Sequence, residues 1–519
     1  MTFWPRSHWT PAVLIAFLLA VAHSWPLASD PARLSLNYNG DVMLNEWIVA
    51  WVQHQLPRDP LHLFSANIFH PAPDALAFSE PLIVPAVIGA PIRILGGSPV
   101  LVHNLLLLVG MTLTMLGCYA LVHAWTGDAL ASLLAGSAWA FNTQSLTRLE
   151  HLQAHHAYGV PLALLAADRL ITTGQIRHAV LLALWMAVMA YTSGYLVVFT
   201  TIALAVLVVV RLPPVRVHAS FALAALMAGV AILPVYLPYR RAANQQQMVR
   251  TLDSVSEYSA LLNGYWASYS HLHHWLWNAA APRESPDAYF PGIIVAVLAL
   301  AAIVLQLRRG ADPSMRRPVY GWLYAVFPPL AGLRAAARFG VLFMLGAGVL
   351  AGVGLATLRR SKAMPRYTTA AAAVLVLLVN VEALRAPFAY VPFRGIPGIY
   401  AMLADEPGPV VLVEVPFYPP QAVFENAEYV LNSTAHWRPL MNGYSGYTPR
   451  SYRDYADVFW YFPDSAAVDA IRAAGATHLV LHPQRFGNEA QETLQRALAD
   501  PRLERMAVAR NNVTLFRIK

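Results

Sequence analysis

Three groups of residues have the types and spacing to do chemistry. Asp41 follows an Asn39-Gly40 turn and opens an apolar-periodic run. Its carboxylate is therefore set at the first turn of a helix, where it serves either as a cap for free backbone amides or as a general base. Arg334 and Arg338 are four apart, so on a helix they present two guanidinium groups along one face, suited to bidentate capture of a phosphate. Glu150, His151 and His155 lie close together. If that stretch is helical, His151 and His155 share a face, and with a Glu150 oxygen they make a ligand set for a divalent cation such as magnesium or manganese. Histidine and glutamate at a membrane boundary also serve simply to satisfy helix ends. Arg148 and Glu80 complete the candidate substrate- and phosphate-binding residues. The chain has no HExxH, P-loop or GxGxxG.

The elements that must carry these groups are membrane helices. Of 519 residues 57% are hydrophobic and only 12% charged, with a mean hydropathy of +0.46, a charge fraction about half that of a soluble protein. The net charge of +8 does not point to nucleic acid. Only Lys362 and Lys519 of the 36 basic residues are lysine, and the arginines cluster beside hydrophobic segments. The single cysteine, Cys118, lies in an apolar run and excludes an intramolecular disulfide or a multi-cysteine metal site.

A first span over about residues 9–27 reads as a retained helix with its N-terminus inside, rather than a cleaved signal peptide. A long external loop, 29–98, follows. Within it Leu44, Trp47, Ile48, Trp51 and Val52 recur at helical spacing opposite Asn45, Glu46 and Gln53, the pattern of a helix lying in the membrane interface. Its Pro-rich part contains an apolar run broken by Pro85 and Pro91, which reads as re-entrant or interfacial. Further spans fall at about 99–123, 128–146, 157–172, 178–194, 195–210, 219–238, 290–307, 318–333, 338–358 and 367–386. The total of about eleven puts the arginine clusters at 169–177, 211–216, 308–317 and 359–366 on the inner side. Asp41, the loop 141–158, the loop 239–289 and the segment 332–339 then face outward. The run YWASYSHLHHWLW, Tyr265 to Trp277, reads first as an interfacial aromatic belt and second as a stacking platform for sugar rings. Residues 1–386 thus form the membrane domain. Residues 387–519 form a small external α/β domain, with strands expected at 409–415, 477–482 and 512–518 and helices at 465–474 and 488–498.

The motifs NGD (39–41), NIFHPAPDALAFSEPL (67–82), EHLQ (150–153), LRAAARF (333–339), MNGYSGYTP (441–449) and GATHLVLH (475–482) are spread over most of the chain. In their order and placement the sequence resembles the GT-C glycosyltransferases, in particular the YfhO-like bacterial branch. The resemblance implies a multi-span enzyme in a bacterial cytoplasmic membrane. Such an enzyme moves a sugar from a polyprenyl-phosphate carrier to a glycan, lipid or protein acceptor on the periplasmic face. It also implies that Asp41 is the base or binds the acceptor, and that Glu150 helps hold a metal. Asp41 is followed by Val-Met, where other members carry a DxD or Asp-Glu pair. The rival class is a non-enzymatic transporter or envelope-polymer assembly factor, which would bury charges mid-span rather than gather them at one face.

Overall fold

The computed structural model describes residues 8–248, 262–276, 288–308, 340–360 and 368–519. They form two compact units. The first draws on Met1–Pro31, Asn104–Pro234 and Val249–Tyr390, the second on Ala32–His103, Val235–Met248 and Val391–Lys519.

Helices stand at ten of the expected span positions: Trp9–His23, Pro99–Thr126, Ala129–Ala140, Gly159–Thr173, Ile176–Thr192, Gly194–Arg211, His218–Gln246, Ile293–Arg308, Gly340–Arg359 and Thr368–Ala383. The expected span 318–333 lies outside the described residues. Among the described residues, four helices are long and apolar enough to cross a membrane: Pro99–Thr126, Gly194–Arg211, Val215–Gln246 and Gly340–Arg359. In the first unit the Ala129–Ala140 and Gly340–Arg359 helices meet through small residues. A Cβ on Gly352 would lie 2.8 Å from both the Ala131 carbonyl and the Ala135 Cβ. That approach is the small-xxx-small packing that binds helices where no hydrophobic force separates helix from lipid. Two arginines of the inner clusters are clamped at helix ends. Arg359 pairs with Asp128 at 2.6 Å, and Arg211 pairs with Asp168. Asp128 also caps the Ala129–Ala140 helix through the Ala131 amide at 3.0 Å.

The second unit is built on two sheets and the Gly40–Gln55 helix. Strands β1 (Leu34–Ser35) and β2 (Val391–Pro392) pair antiparallel. Strands β3 (Leu412–Val415), β4 (His478–Leu481), β5 (Leu503–Val508) and β6 (Thr514–Ile518) form a sheet in the order β3-β4-β6-β5, parallel between β3 and β4 and antiparallel elsewhere. Strand β5 was not expected from sequence. The Ser465–Ala473 and Ala490–Ala499 helices follow β3 and β4 in the chain.

The Gly40–Gln55 helix differs from expectation. It is not an interfacial helix with one wet face: Val42 and every residue from Leu44 to Val52 are buried, Asn45 and Glu46 included. The Ala427–Asn432 helix and the Ile83–Ile94 helix pack on it. A helix buried all round belongs to a core. The Ile83–Ile94 helix spans 12 residues, about 18 Å at 1.5 Å per residue, too short to cross a bilayer.

Because residues from both ends of the chain share this second unit, they must lie on one side of the membrane. Ser65 and Ser465 are exposed and Cys118 is buried. Ser65→Cys and Ser465→Cys should both react with an impermeant maleimide added from one and the same side of the membrane. Labelling of the two positions from opposite sides would break the unit as described.

Candidate functional site

The start of the Gly40–Gln55 helix decides what Asp41 can do. Asn39, not Asp41, is the N-cap: its side-chain oxygen accepts the Asp41 amide at 2.8 Å while its backbone stays extended. The Asp41 Oδ1 accepts the Tyr444 hydroxyl at 2.5 Å. Asp41 is half-buried, in the first turn, where the positive end of the helix dipole favours a carboxylate.

Tyr444 is delivered by a chain of backbone constraints. Residues 67–70 lie along residues 440–442: the Leu440 amide donates to the Asn67 carbonyl at 2.7 Å, His70 to Leu440 at 2.9 Å, and Phe69 to Asn442 at 3.0 Å. The Asn442 side chain bridges to β3. Its amide nitrogen donates to the Glu414 carbonyl at 2.9 Å and its oxygen accepts the Glu414 amide at 2.7 Å. At the next residue only a glycine fits, since a Cβ on Gly443 would come within 2.5 Å of the Phe69 ring. The loop therefore sits flat on the 67–70 segment and turns Tyr444 toward Asp41.

Five residues beyond Asp41, Glu46 has a different environment. It is fully buried, with Oε2 accepting from the Asn37 amide at 3.1 Å and no hydrogen-bond partner for Oε1 among the described residues. Burial pushes its carboxyl up to about 8, opposed by the hydrogen bonds from Asn37 and Ser35. It is a neutral acid at pH 7. In the same unit Arg241 forks Asp74 through two bonds of 3.1 Å, and the Tyr239 hydroxyl donates to the Ser79 carbonyl beside half-buried Glu80. The Arg241–Asp74 pair thus pins the loop that carries Glu80.

Arg148, Glu150, His151 and His155 belong to the first unit. Arg148 and His151 line a cavity of about 40 Å³ with Gln144, Gln153 and Tyr195. The expected shared helical face is not formed, because the helix there is only Leu152–His155 and His151 precedes it as the N-cap residue. His155 is buried with its ring against the Arg148 carbonyl at 3.2 Å, and its own carbonyl accepts the Thr114 hydroxyl at 2.6 Å. Among the described residues no group of three His, Cys, Asp or Glu side chains could hold a metal ion. This donor set does not fit the expected cation. In the third loop His273 pairs with buried Glu382 at 2.8 Å and the His271 ring contacts the Ala386 carbonyl at 3.0 Å. Glu382 also accepts the Ile294 amide at 3.1 Å. These histidines fasten the loop. Arg334 and Arg338 lie outside the described residues.

Sequence reading missed Tyr444, Asn442, Arg241 and Glu382 as positioning residues. Tyr444 and Asn442 fall in the segment MNGYSGYTP, whose paired glycines and tyrosines signalled close packing without naming the partner.

No family model matches this sequence, and no curated protein matches it at a significant level. Solved structures do. The chain superimposes with a TM-score of 0.60 and 17% identity on the arabinofuranosyltransferase AftD from Mycobacteria, over 100% of this chain and 40% of that one. On the oligosaccharyltransferase of Archaeoglobus fulgidus, solved with zinc and sulfate, the TM-score is 0.50 at 14% identity, over 97% of this chain and 72% of that one. The fold is similar to that of these two glycosyltransferases. This GT-C-like chain spans less than half the length of the mycobacterial enzyme it matches.

Two stability measurements test the site of this GT-C fold. Asn39→Ala should cost about 1 kcal/mol because it removes the cap, whereas Asp41→Asn should leave the thermal midpoint unchanged. The reverse order would return the capping role to Asp41. For Glu46, the folded value of about 8 against the ordinary carboxyl value of 4.5 means that the native state keeps a proton that the unfolded chain loses between those limits. Its contribution to stability is full below pH 4.5 and lost as pH rises toward 8. Glu46→Gln should flatten the fall in thermal midpoint over that window; an unchanged profile would mean that Glu46 ionises normally in the fold.

Proposed function

We propose that the protein is a glycosyltransferase that moves a sugar from a polyprenyl-phosphate carrier to a glycan, lipid or protein acceptor on the periplasmic face of a bacterial inner membrane. The observation that carries this reading is a carboxylate in the first turn of a buried helix whose N-cap is Asn39, hydrogen-bonded to the Tyr444 hydroxyl. Support for the class comes from the GT-C fold. The donor and the YfhO-like branch rest on the sequence motifs and on the outward arginine pair.

In the proposed step Asp41 takes the proton of the acceptor hydroxyl or amide as that atom bonds to the anomeric carbon. The bond from that carbon to the carrier phosphate breaks on the opposite side, so the configuration inverts and the electron pair leaves on the phosphate. Arg334 and Arg338 offset the charge that builds there, with Arg148 and Glu80 in substrate binding. A hydrogen bond from Tyr444 fixes the carboxylate plane, so less reorientation is needed at the moment of transfer. No nucleotide enters, and no step is assigned to a divalent cation, since Glu150, His151 and His155 do not form a ligand set.

The deciding assay is glycan or glycolipid output of a deletion strain complemented with variants at matched membrane levels. Asp41→Asn should lower output by about 10²-fold or more. In the same assay Arg334→Ala and Arg338→Ala should each reduce use of the donor more than Arg177→Ala, an exposed arginine of an inner cluster. Full output from Asp41→Asn would remove Asp41 as the base and favour the transporter or assembly reading.

A further inference from the structure

One further cavity plays no part in the step above. It lies wholly in the second unit and measures about 380 Å³, within the range of roughly 300–1,000 Å³ typical of ligand sites. Trp51 and Trp437 form its aromatic walls, Pro71 and Pro439 its rigid edges, and Gln55 and His70 bring polar groups to it.

Each wall is held in place. The Trp51 indole donates to the Leu63 carbonyl at 2.8 Å, and Trp47, stacked on Trp51 at 6.2 Å, donates to Asn67 at 3.2 Å. Trp437 sits 5.8 Å from Trp51 and stacks on His54 at 4.3 Å. Its backbone is left-handed, with φ +56°, a conformation costly for a bulky residue and retained where the surroundings over-determine it. Those surroundings include Arg438, whose guanidinium is spent on the carbonyls of Leu403, Ala404 and Glu406 at 2.8–3.1 Å.

The lining carries no acidic or cationic side chain. The two imidazoles beside it are neutral at pH 7, since burial holds His70 below its usual value and burial with Arg58 and Arg93 holds His54 at about 4. A phosphate finds no counter-charge here. A lipid tail would strand the Gln55 and His70 polar groups. What matches flat indole faces with neutral hydrogen-bonding groups at the edge is a sugar ring, whose C–H face is apolar and whose rim is hydroxyl.

We infer that this cavity binds a neutral saccharide, the glycan acceptor, against the wall that Trp51 and Trp437 form together, with Gln55 and His70 reading its hydroxyls. The acceptor role rests on the glycosyl-transfer reading; the saccharide site does not.

Saturation-transfer NMR on the full chain in sugar-free nanodiscs, with neutral hexaoses of glucose, mannose, galactose and arabinose as probes, tests the site. At least one hexaose should bind, inorganic phosphate should not displace it, and Trp437→Ala should weaken it by about tenfold or more. Asp41→Asn should bind it unchanged, which keeps this test apart from the catalytic one. Should Trp437→Ala fail to fold, Gln55→Leu and His70→Leu carry the decision, each weakening the same hexaose. No binding by any probe, or binding indifferent to these substitutions, overturns the site. With the binding hexaose as acceptor, Gln55→Leu should raise its KM several-fold and leave kcat and donor KM alone; a change in donor KM alone would overturn the acceptor assignment.

Discussion

The second unit depends on one constraint: the peptide groups of residues 67–70 find their hydrogen-bond partners in residues 440–442. Buried backbone groups left unpaired cost as much as a lost hydrogen bond, and here the pairing joins parts of the chain some 370 residues apart. Once it forms, Asn442 bridges to β3 and to Asn426, Gly443 lies under Phe69, and Tyr444 arrives at Asp41. The same pairing places Trp437 and Pro439 across from Trp51 and His70. The candidate base and the aromatic cavity thus share one scaffold.

Two carboxylates on one helix illustrate how environment divides roles. Asp41 lies in the first turn, half-buried and bonded to a phenol. Glu46, little more than a turn later, is sealed in the core and keeps its proton at neutral pH. Burial pushes a carboxyl toward neutrality, while donors and the helix N-terminus favour the anion. A buried neutral acid bonded to Asn37 holds the entry of the helix as a polar clasp.

How much of this was legible follows from the physics of each feature. Apolar length is local, so helices stand where the hydropathy put them, whereas Asp128 and Asp168, the ion-pair partners of Arg359 and Arg211, lie far off in the chain and were not identified. The tail strands β3, β4 and β6 were found because their residues are β-branched and buried; β5, with the pattern LERMAV at the sheet edge, carries the charge of an exposed strand and hid. Asn39 and Asp41 are both good caps, and only the backbone angles decide between them. The Gly40–Gln55 helix misled for a different reason. Two tryptophans opposite Asn45 and Glu46 give an amphipathic pattern, but Glu46 is buried against Asn37 and Trp51 against Trp437, and a covering element from elsewhere in the chain leaves no mark on the local pattern.

The hydrogen bond between Asp41 and Tyr444 closes a separation of 403 residues. A ribosome adding about 5–20 residues per second takes roughly 20–80 seconds to travel that distance. Throughout that interval the helix bearing Asp41 has been made while the phenol that orients it has not. A nascent chain at the membrane is therefore without this pairing until Tyr444 has been made, and a product truncated before it carries the acid without its guide.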